Sequence, residues 1–209
     1  MKKYITEGIG SFFLTLIFLL TANLPSVYSW MPLAYAAFLI ALGTIFHTLS
    51  GAHFNPLISF TAFLRGHIDR IDAIYYILSQ VAGALAASLF ATLLLSAQGV
   101  TDLNPQAIPA FAGLLCELMG AFLVACAWAV GASGHRYNWR PGAVMPGIMY
   151  AFRGISGGFF NPAVALGSMV IGRVGFEDAW LYALAAAMGA AAATTFLSAA
   201  NYDEVQRIE

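Results

Sequence analysis

Gly157-Gly158-Phe159-Phe160-Asn161-Pro162-Ala163-Val164 is the stretch whose reading decides the rest of the chain. An earlier stretch, Gly51-Ala52-His53-Phe54-Asn55-Pro56-Leu57-Ile58, is built the same way. Each places Asn directly before Pro, after glycine and aromatic residues, and each runs on into a short apolar segment. Asn is a good helix N-cap. Pro suits the first helical position, where its missing N–H would have had no partner. Both stretches therefore read as irregular loops that turn into helices at Pro56 and Pro162.

Working outward, apolar residues make up 60% of the 209-residue chain and charged residues 9%, against about 25% charged in soluble domains. Mean hydropathy is +0.78. So few charges cannot clothe a water-exposed surface, so the chain is placed in a lipid bilayer. A net charge of −1 gives no reason to expect a nucleic-acid partner. The start, Met1-Lys2-Lys3 and then an apolar run, resembles a signal peptide. Glu7 interrupts that run and no small-residue cleavage site follows, so it reads as a first membrane helix that is kept. Cys116 and Cys126 lie ten residues apart in one apolar run. A helix separates them by about 15 Å, too far for a disulfide, and they read as packing residues.

In chain order, apolar segments cover about 4–24, 32–50, 71–97, 110–131, 141–156 and 177–200. After each Asn-Pro comes a shorter run, 56–64 and 162–171. Nine helical residues reach about 13 Å and cannot cross a hydrocarbon core of about 30 Å. Each half thus reads span, span, half-span, span. Glu7 precedes Asn55 by 48 residues and Glu117 precedes Asn161 by 44. The fold expected is an all-α membrane protein with six transmembrane helices and two re-entrant half-helices. It forms a single channel domain, 1–209, of two repeats at about 1–98 and 107–201. Three spans per half invert the second repeat, bringing interrupted helices together near the midplane. Irregular backbone at that depth is tolerated inside protein or beside a water-filled cavity. Lys2, Lys3, Arg65, Arg70, Arg136, Arg140 and Arg207 fall on one side when the N-terminus is cytoplasmic, which sets the orientation. The chain is then a multi-pass protein of the plasma (inner) membrane with both termini cytoplasmic.

Two half-helices meeting at their N-termini aim two partial positive charges at one spot, with the amides of Asn55 and Asn161 as donors beside them. Water or a small polar solute accepts both bonds as it passes, whereas a cation is repelled. One Asn-Pro is an ordinary turn signal; two, after matching Gly-aromatic lead-ins, are not explained that way.

Taken together, these residues resemble an aquaporin, of the major intrinsic protein family, over nearly the whole chain. Ser50 to Pro56 is similar to the family's first signature and Asn161-Pro162-Ala163 to its second. Gln80-Val81-Ala82-Gly83-Ala84, Trp180-Leu181-Tyr182 and Gly189-Ala190 resemble its third- and sixth-span patterns. The resemblance implies a pore in each protomer and a homotetramer. It also implies that Glu7 and Glu117 hold loop carbonyls of the half-helices in place. Three departures stand out. Leu57 replaces the small residue of the first motif, Ala185 and Ala186 replace a Gly-Pro pair, and Val164 stands where the family carries arginine. The resemblance puts the outer constriction at Tyr35, Met149, Gly158 and Val164, which makes it apolar and uncharged. Losing donors worth about 1 kcal/mol each implies weaker preference for water. Met149 is flexible enough to plug the opening.

Single residues keep two readings. Glu7 and Glu117 are intramembrane carboxyls, either loop supports or proton sites. His53 either gates with pH or orders its loop. Arg153 either snorkels to headgroups or leans into the outer vestibule and supplies the charge missing at Val164. His47, His53, His67 and His135 read as scattered. No Cys/His set has metal-ligand spacing and no HExxH, P-loop or dinucleotide fingerprint occurs, so no metal, cofactor or catalysis is expected. The expected function is passive passage of water or a small neutral solute. A structural protein with a closed pore and a proton-coupled transporter are the alternatives. Ala165 and the chain's length point away from the glycerol-facilitator subtype.

Overall fold

Proline and glycine punctuate the helices. The computed structural model describes residues 1–100, 106–132, 137–200 and 202. Eight α-helices lie in these residues: α1 (Lys2–Asn23), α2 (Met31–Ser50), α3 (Pro56–Leu64), α4 (Arg70–Ala97), α5 (Ala110–Ala129), α6 (Arg140–Ser156), α7 (Pro162–Val170) and α8 (Ala179–Ala199). Prolines sit in the first turn of α2, α3, α6 and α7. Gly51 and Gly157, both left-handed with φ of 86° and 89°, end α2 and α6, a conformation open to glycine without a Cβ clash.

By length and apolar composition, α1, α2, α4, α5 and α8 each suffice to cross a membrane, α2 and α8 together with their preceding single turns. Helix α6 is shorter at 17 residues, at the lower limit for a span of about 17–25 residues. Helices α3 and α7 have nine residues each, α3 matching the expected 56–64 and α7 ending one residue before the expected 171. Large apolar side chains such as Leu33, Ile45, Leu78, Leu89, Leu93 and Phe111 face outward, which suits hydrocarbon rather than water.

Helix α1 packs along α4, and α5 along α8. Glycine makes both approaches close: a Cβ on Gly83 would collide with the Gly8 carbonyl, and one on Gly189 with Ala121. Small residues are what let membrane helices pack backbone to backbone. The half-helices are exchanged between the halves: α3 touches α5 and α8, while α7 touches α1 and α4. This exchange carries both short helices into the middle of the bundle.

The two ends of the bundle differ in their basic residues. Lys3 pairs with Asp72 at 2.6 Å, joining the starts of α1 and α4. Arg153 and Arg173 lie at the other end, both against Tyr28. His135, Arg136 and Arg207, and with them part of the charge pattern used for orientation, lie outside the described residues. Cys116 and Cys126 are both free.

Candidate functional site

The loop after α2 is bent by left-handed residues at Gly51, Ala52 (φ 54°) and Phe54 (φ 48°); the loop after α6 by Gly157, Gly158 and Phe160 (φ 46°). A left-handed phenylalanine costs about 1–2 kcal/mol, so something must hold it. The holder is a buried carboxylate. Glu7 Oε1 accepts from Ser50 Oγ (2.6 Å) and His53 N (3.0 Å). Its Oε2 accepts from Phe54 N (2.6 Å) and Gln80 Nε2 (2.8 Å). Glu117 does the same in the second half, accepting from Ser156 Oγ (2.7 Å), Phe159 N (3.0 Å) and Phe160 N (2.8 Å). The bonds of these carboxyls run to the loop's N–H groups, not to the carbonyls of the same loop. An ionised carboxylate is acceptor-only, and its partners are the loop N–H groups.

Each phenylalanine ring then drops into a slot three residues beyond the glutamate. A Cβ on Gly10 would fall within the Phe54 ring and one on Gly120 within the Phe160 ring. The phenol O–H groups of Tyr76 and Tyr182 complete the clamps by donating to the Ser50 and Ser156 carbonyls, at 2.7 and 2.9 Å.

So held, the two loops present Asn55 and Asn161 to each other. Each caps its own helix: Asn55 Oδ1 accepts from Leu57 N at 2.9 Å and Asn161 Oδ1 from Ala163 N at 3.1 Å. Each amide also reaches across, Asn55 Nδ2 donating to the Phe160 carbonyl at 2.9 Å and Asn161 Nδ2 to the Phe54 carbonyl at 3.0 Å. The left-handed turn at Phe54 and Phe160 is what aims those carbonyls at the opposite tip. Sequence reasoning missed both residues; the repeated Glu-x-x-Gly of Glu7–Gly10 and Glu117–Gly120 was their visible trace.

Tyr35, in α2, joins this centre directly: Asn161 Nδ2 donates to its phenol oxygen at 3.2 Å. Met149 and Val164 are buried in the surrounding apolar core. Gly158 lies against α6, its hypothetical Cβ 3.0 Å from Arg153 Cα and Cβ, with φ of 66°. Pro56, Leu57, Pro162 and Ala165 help line an apolar cavity of about 400 Å³ whose walls come from α3, α4, α7 and α8. Leu57 is 1% exposed and lines this cavity beside Pro56 and Phe60. Arg153 Nη1 donates to the Tyr28 carbonyl (2.9 Å), with its guanidinium 4.4 Å from the Tyr28 ring centre. Arg173, bonded to Ala22 O and Asn23 Oδ1, flanks the same ring at 6.0 Å.

Among the described residues, the histidines are not scattered. His47, His53 and His67 line one cavity of about 280 Å³, with Trp128, Tyr137 and Asn138, at the end of the bundle opposite Arg153. His53 and His67 both pack edge-on against Trp128 at 5.4 Å, and His53 Nδ1 lies 3.2 Å from Ser59 Oγ. They come from three separate elements, and only the folded chain brings them together.

Known proteins resemble this chain in sequence and in fold. The family described as Major intrinsic protein matches residues 1–146 and again 136–208. The chain is 29% identical to "Glycerol uptake facilitator protein-like 6" of Lactiplantibacillus plantarum, over 91% of this chain and 94% of that one. It is 36% identical to "Aquaglyceroporin AqpS" of Rhizobium meliloti over 64% of this chain and 57% of the relative. "Aquaporin TIP1-2" of Zea mays is 30% identical over 77% of this chain and 66% of its own. The fold is similar to that of the aquaglyceroporin from Plasmodium falciparum, with a TM-score of 0.79 over 94% of both chains at 19% identity. With two crossed half-helices inside a bundle of apolar helices, and a family match along nearly its whole length, the chain belongs to the major intrinsic protein family and is a membrane channel for water or small solutes, not an enzyme.

Proposed function

We propose that this channel passes water and small uncharged solutes past an apolar outer constriction formed by Tyr35, Met149, Val164 and the backbone at Gly158. The observation that carries it is the crossed pair Asn55–Phe160 and Asn161–Phe54, which fixes two amide donors at the tips of opposed helices. The positive ends of α3 and α7 oppose a cation there, and the donors orient a passing acceptor. Val164 supplies neither charge nor donor beyond them. Arg153 and Arg173, gathered around Tyr28, give the outer mouth the positive charge that position 164 lacks. Glu7 and Glu117 act as loop supports: Glu7 already accepts two bonds on each oxygen, which leaves no place for a travelling proton and weighs against coupled transport.

The active unit is a homotetramer of 1–209 channel domains in the plasma (inner) membrane, each made of repeats at about 1–98 and 107–201, with both termini cytoplasmic. Lys2, Lys3, Arg65, Arg70 and Arg140, against Arg153 and Arg173 at the other end, support that orientation. Two of the similar proteins carry glycerol-facilitator or aquaglyceroporin names, so polyols stand beside water among the solutes to be measured.

Stopped-flow light scattering of proteoliposomes under sucrose, glycerol and urea gradients tests the reading, on the native chain beside Val164→Arg. The native chain is expected to pass water and at least one of the neutral solutes without a proton gradient. Val164→Arg is expected to cut glycerol and urea passage at least about ten-fold relative to water, the size of roughly one charge-assisted hydrogen bond gained selectively. Equal ratios in the two proteins would place position 164 outside the solute path.

A further inference from the structure

The two asparagines are not equivalent. Asn55 donates one amide hydrogen to Phe160 O and has no further hydrogen-bond partner for that amide among the described residues. Asn161 donates to Phe54 O and, in addition, to the Tyr35 phenol. Tyr35 lies 106 residues before Pro141, the same interval that separates Asn55 from Asn161. The second half thus has a proline, with no hydroxyl, where the first has this tyrosine, and only one tip is capped.

The cap sits in a closed surround. Tyr35 and Val164 are 1% exposed and Met149 0%. The ring is fixed by Phe18, edge-on at 6.1 Å, and Phe18 packs on Phe159 at 5.2 Å. The phenol oxygen occupies the position on Asn161 that a passing solute's oxygen needs.

We propose that the Tyr35 hydroxyl holds the place of the permeating solute on the Asn161 amide, which makes Tyr35 a specificity-determining residue of this channel. This rests on the channel reading above. A solute passes by exchanging its own acceptor oxygen for the phenol's. Water, polyols and urea can make that exchange. A solute without an acceptor leaves the amide unpaired and is disfavoured. Phenylalanine at position 35 keeps the ring and its packing on Phe18 but removes the competing oxygen.

The test compares the native full-length chain with Tyr35→Phe in proteoliposomes at matched protein density, following water under sucrose and solute entry under glycerol and urea. Tyr35→Phe is expected to raise water flux roughly three- to ten-fold, the effect of one neutral hydrogen bond no longer broken in transit. Its temperature dependence should fall as well. A native chain that conducts while Tyr35→Phe conducts equally or more slowly overturns the proposal and leaves the channel reading intact. Absence of flux in both overturns the channel reading and this proposal with it. Nitrogen-15 NMR of the native chain gives a second answer that does not depend on the variant folding. Both amide protons of Asn161 are expected to be protected from exchange with water, against one of the two for Asn55. Matching signatures for the two asparagines would overturn the proposal.

Discussion

The loop before Asn55 and the loop before Asn161 are held by the same device in different surroundings. Glutamate, serine, two loop N–H groups and a tyrosine on the serine carbonyl recur in both. The first loop adds a polar chain: Gln80 Nε2 donates to Glu7 and, at 2.8 Å, to Ser59 Oγ, which lies beside His53 Nδ1. At the corresponding places the second loop has Ala186, Ala165 and Phe159. Phe159 packs on Phe18 and, edge-on at 5.1 Å, on Tyr182. The difference separates what holding a half-helix requires from what its setting adds. The first tip adjoins the histidine-lined cavity; the second is roofed by aromatic rings.

The strongest way to break this comparison is to remove the shared element. Glu7→Ala strips the acceptor from four buried donors and Glu117→Ala from three. Each orphaned donor costs about 1–3 kcal/mol, and a folded protein has only about 5–15 kcal/mol in hand. Neither variant is expected to yield a monodisperse peak on size exclusion in detergent, with Glu7→Ala the worse. A well-behaved Glu117→Ala would mean the second loop is held by its aromatic roof instead.

The next effect is smaller and should be equal in the two halves. Gly10→Ala and Gly120→Ala each push a methyl into a phenylalanine ring and should cost about 1–3 kcal/mol as overpacking. Paired melting curves by intrinsic fluorescence check this. A large drop for one and none for the other would show that the two slots are not the same structure.

These glycines also mark how far the sequence can be read. Spans, half-spans and capping asparagines were legible because hydropathy, helix length and Asn-Pro chemistry are local. Helix α3 begins and ends at the predicted residues, and α7 stops one residue short of its predicted end. The left-handed Phe54 and Phe160 were not legible, since phenylalanine has no preference for that conformation. They adopt it because Glu7 and Glu117 hold their N–H groups from another helix. The gathering of His47, His53 and His67 was hidden for the same reason: it depends on how separate elements cross. Tyr35 was found by family spacing as a wall of the constriction, but its bond to Asn161 depends on the reach of one phenol oxygen, which no spacing encodes.

Gln80→Ala sharpens the comparison most finely, because it gives the first loop the alanine that the second already has. The change removes one donor to Glu7 and one to Ser59 while the serine and both loop N–H bonds remain. Glu7 would then hold three bonds, as Glu117 does. The expected cost is about 1–2 kcal/mol, seen as a modest fall in melting temperature, with water flux unchanged because the crossed asparagines are untouched. An unchanged melting temperature would make the three shared bonds sufficient on their own, and the polar chain would then serve only the histidine-lined side. A fall as large as that of Glu7→Ala would mean instead that the first loop cannot be held as the second is, and the likeness between the halves would stop at the backbone.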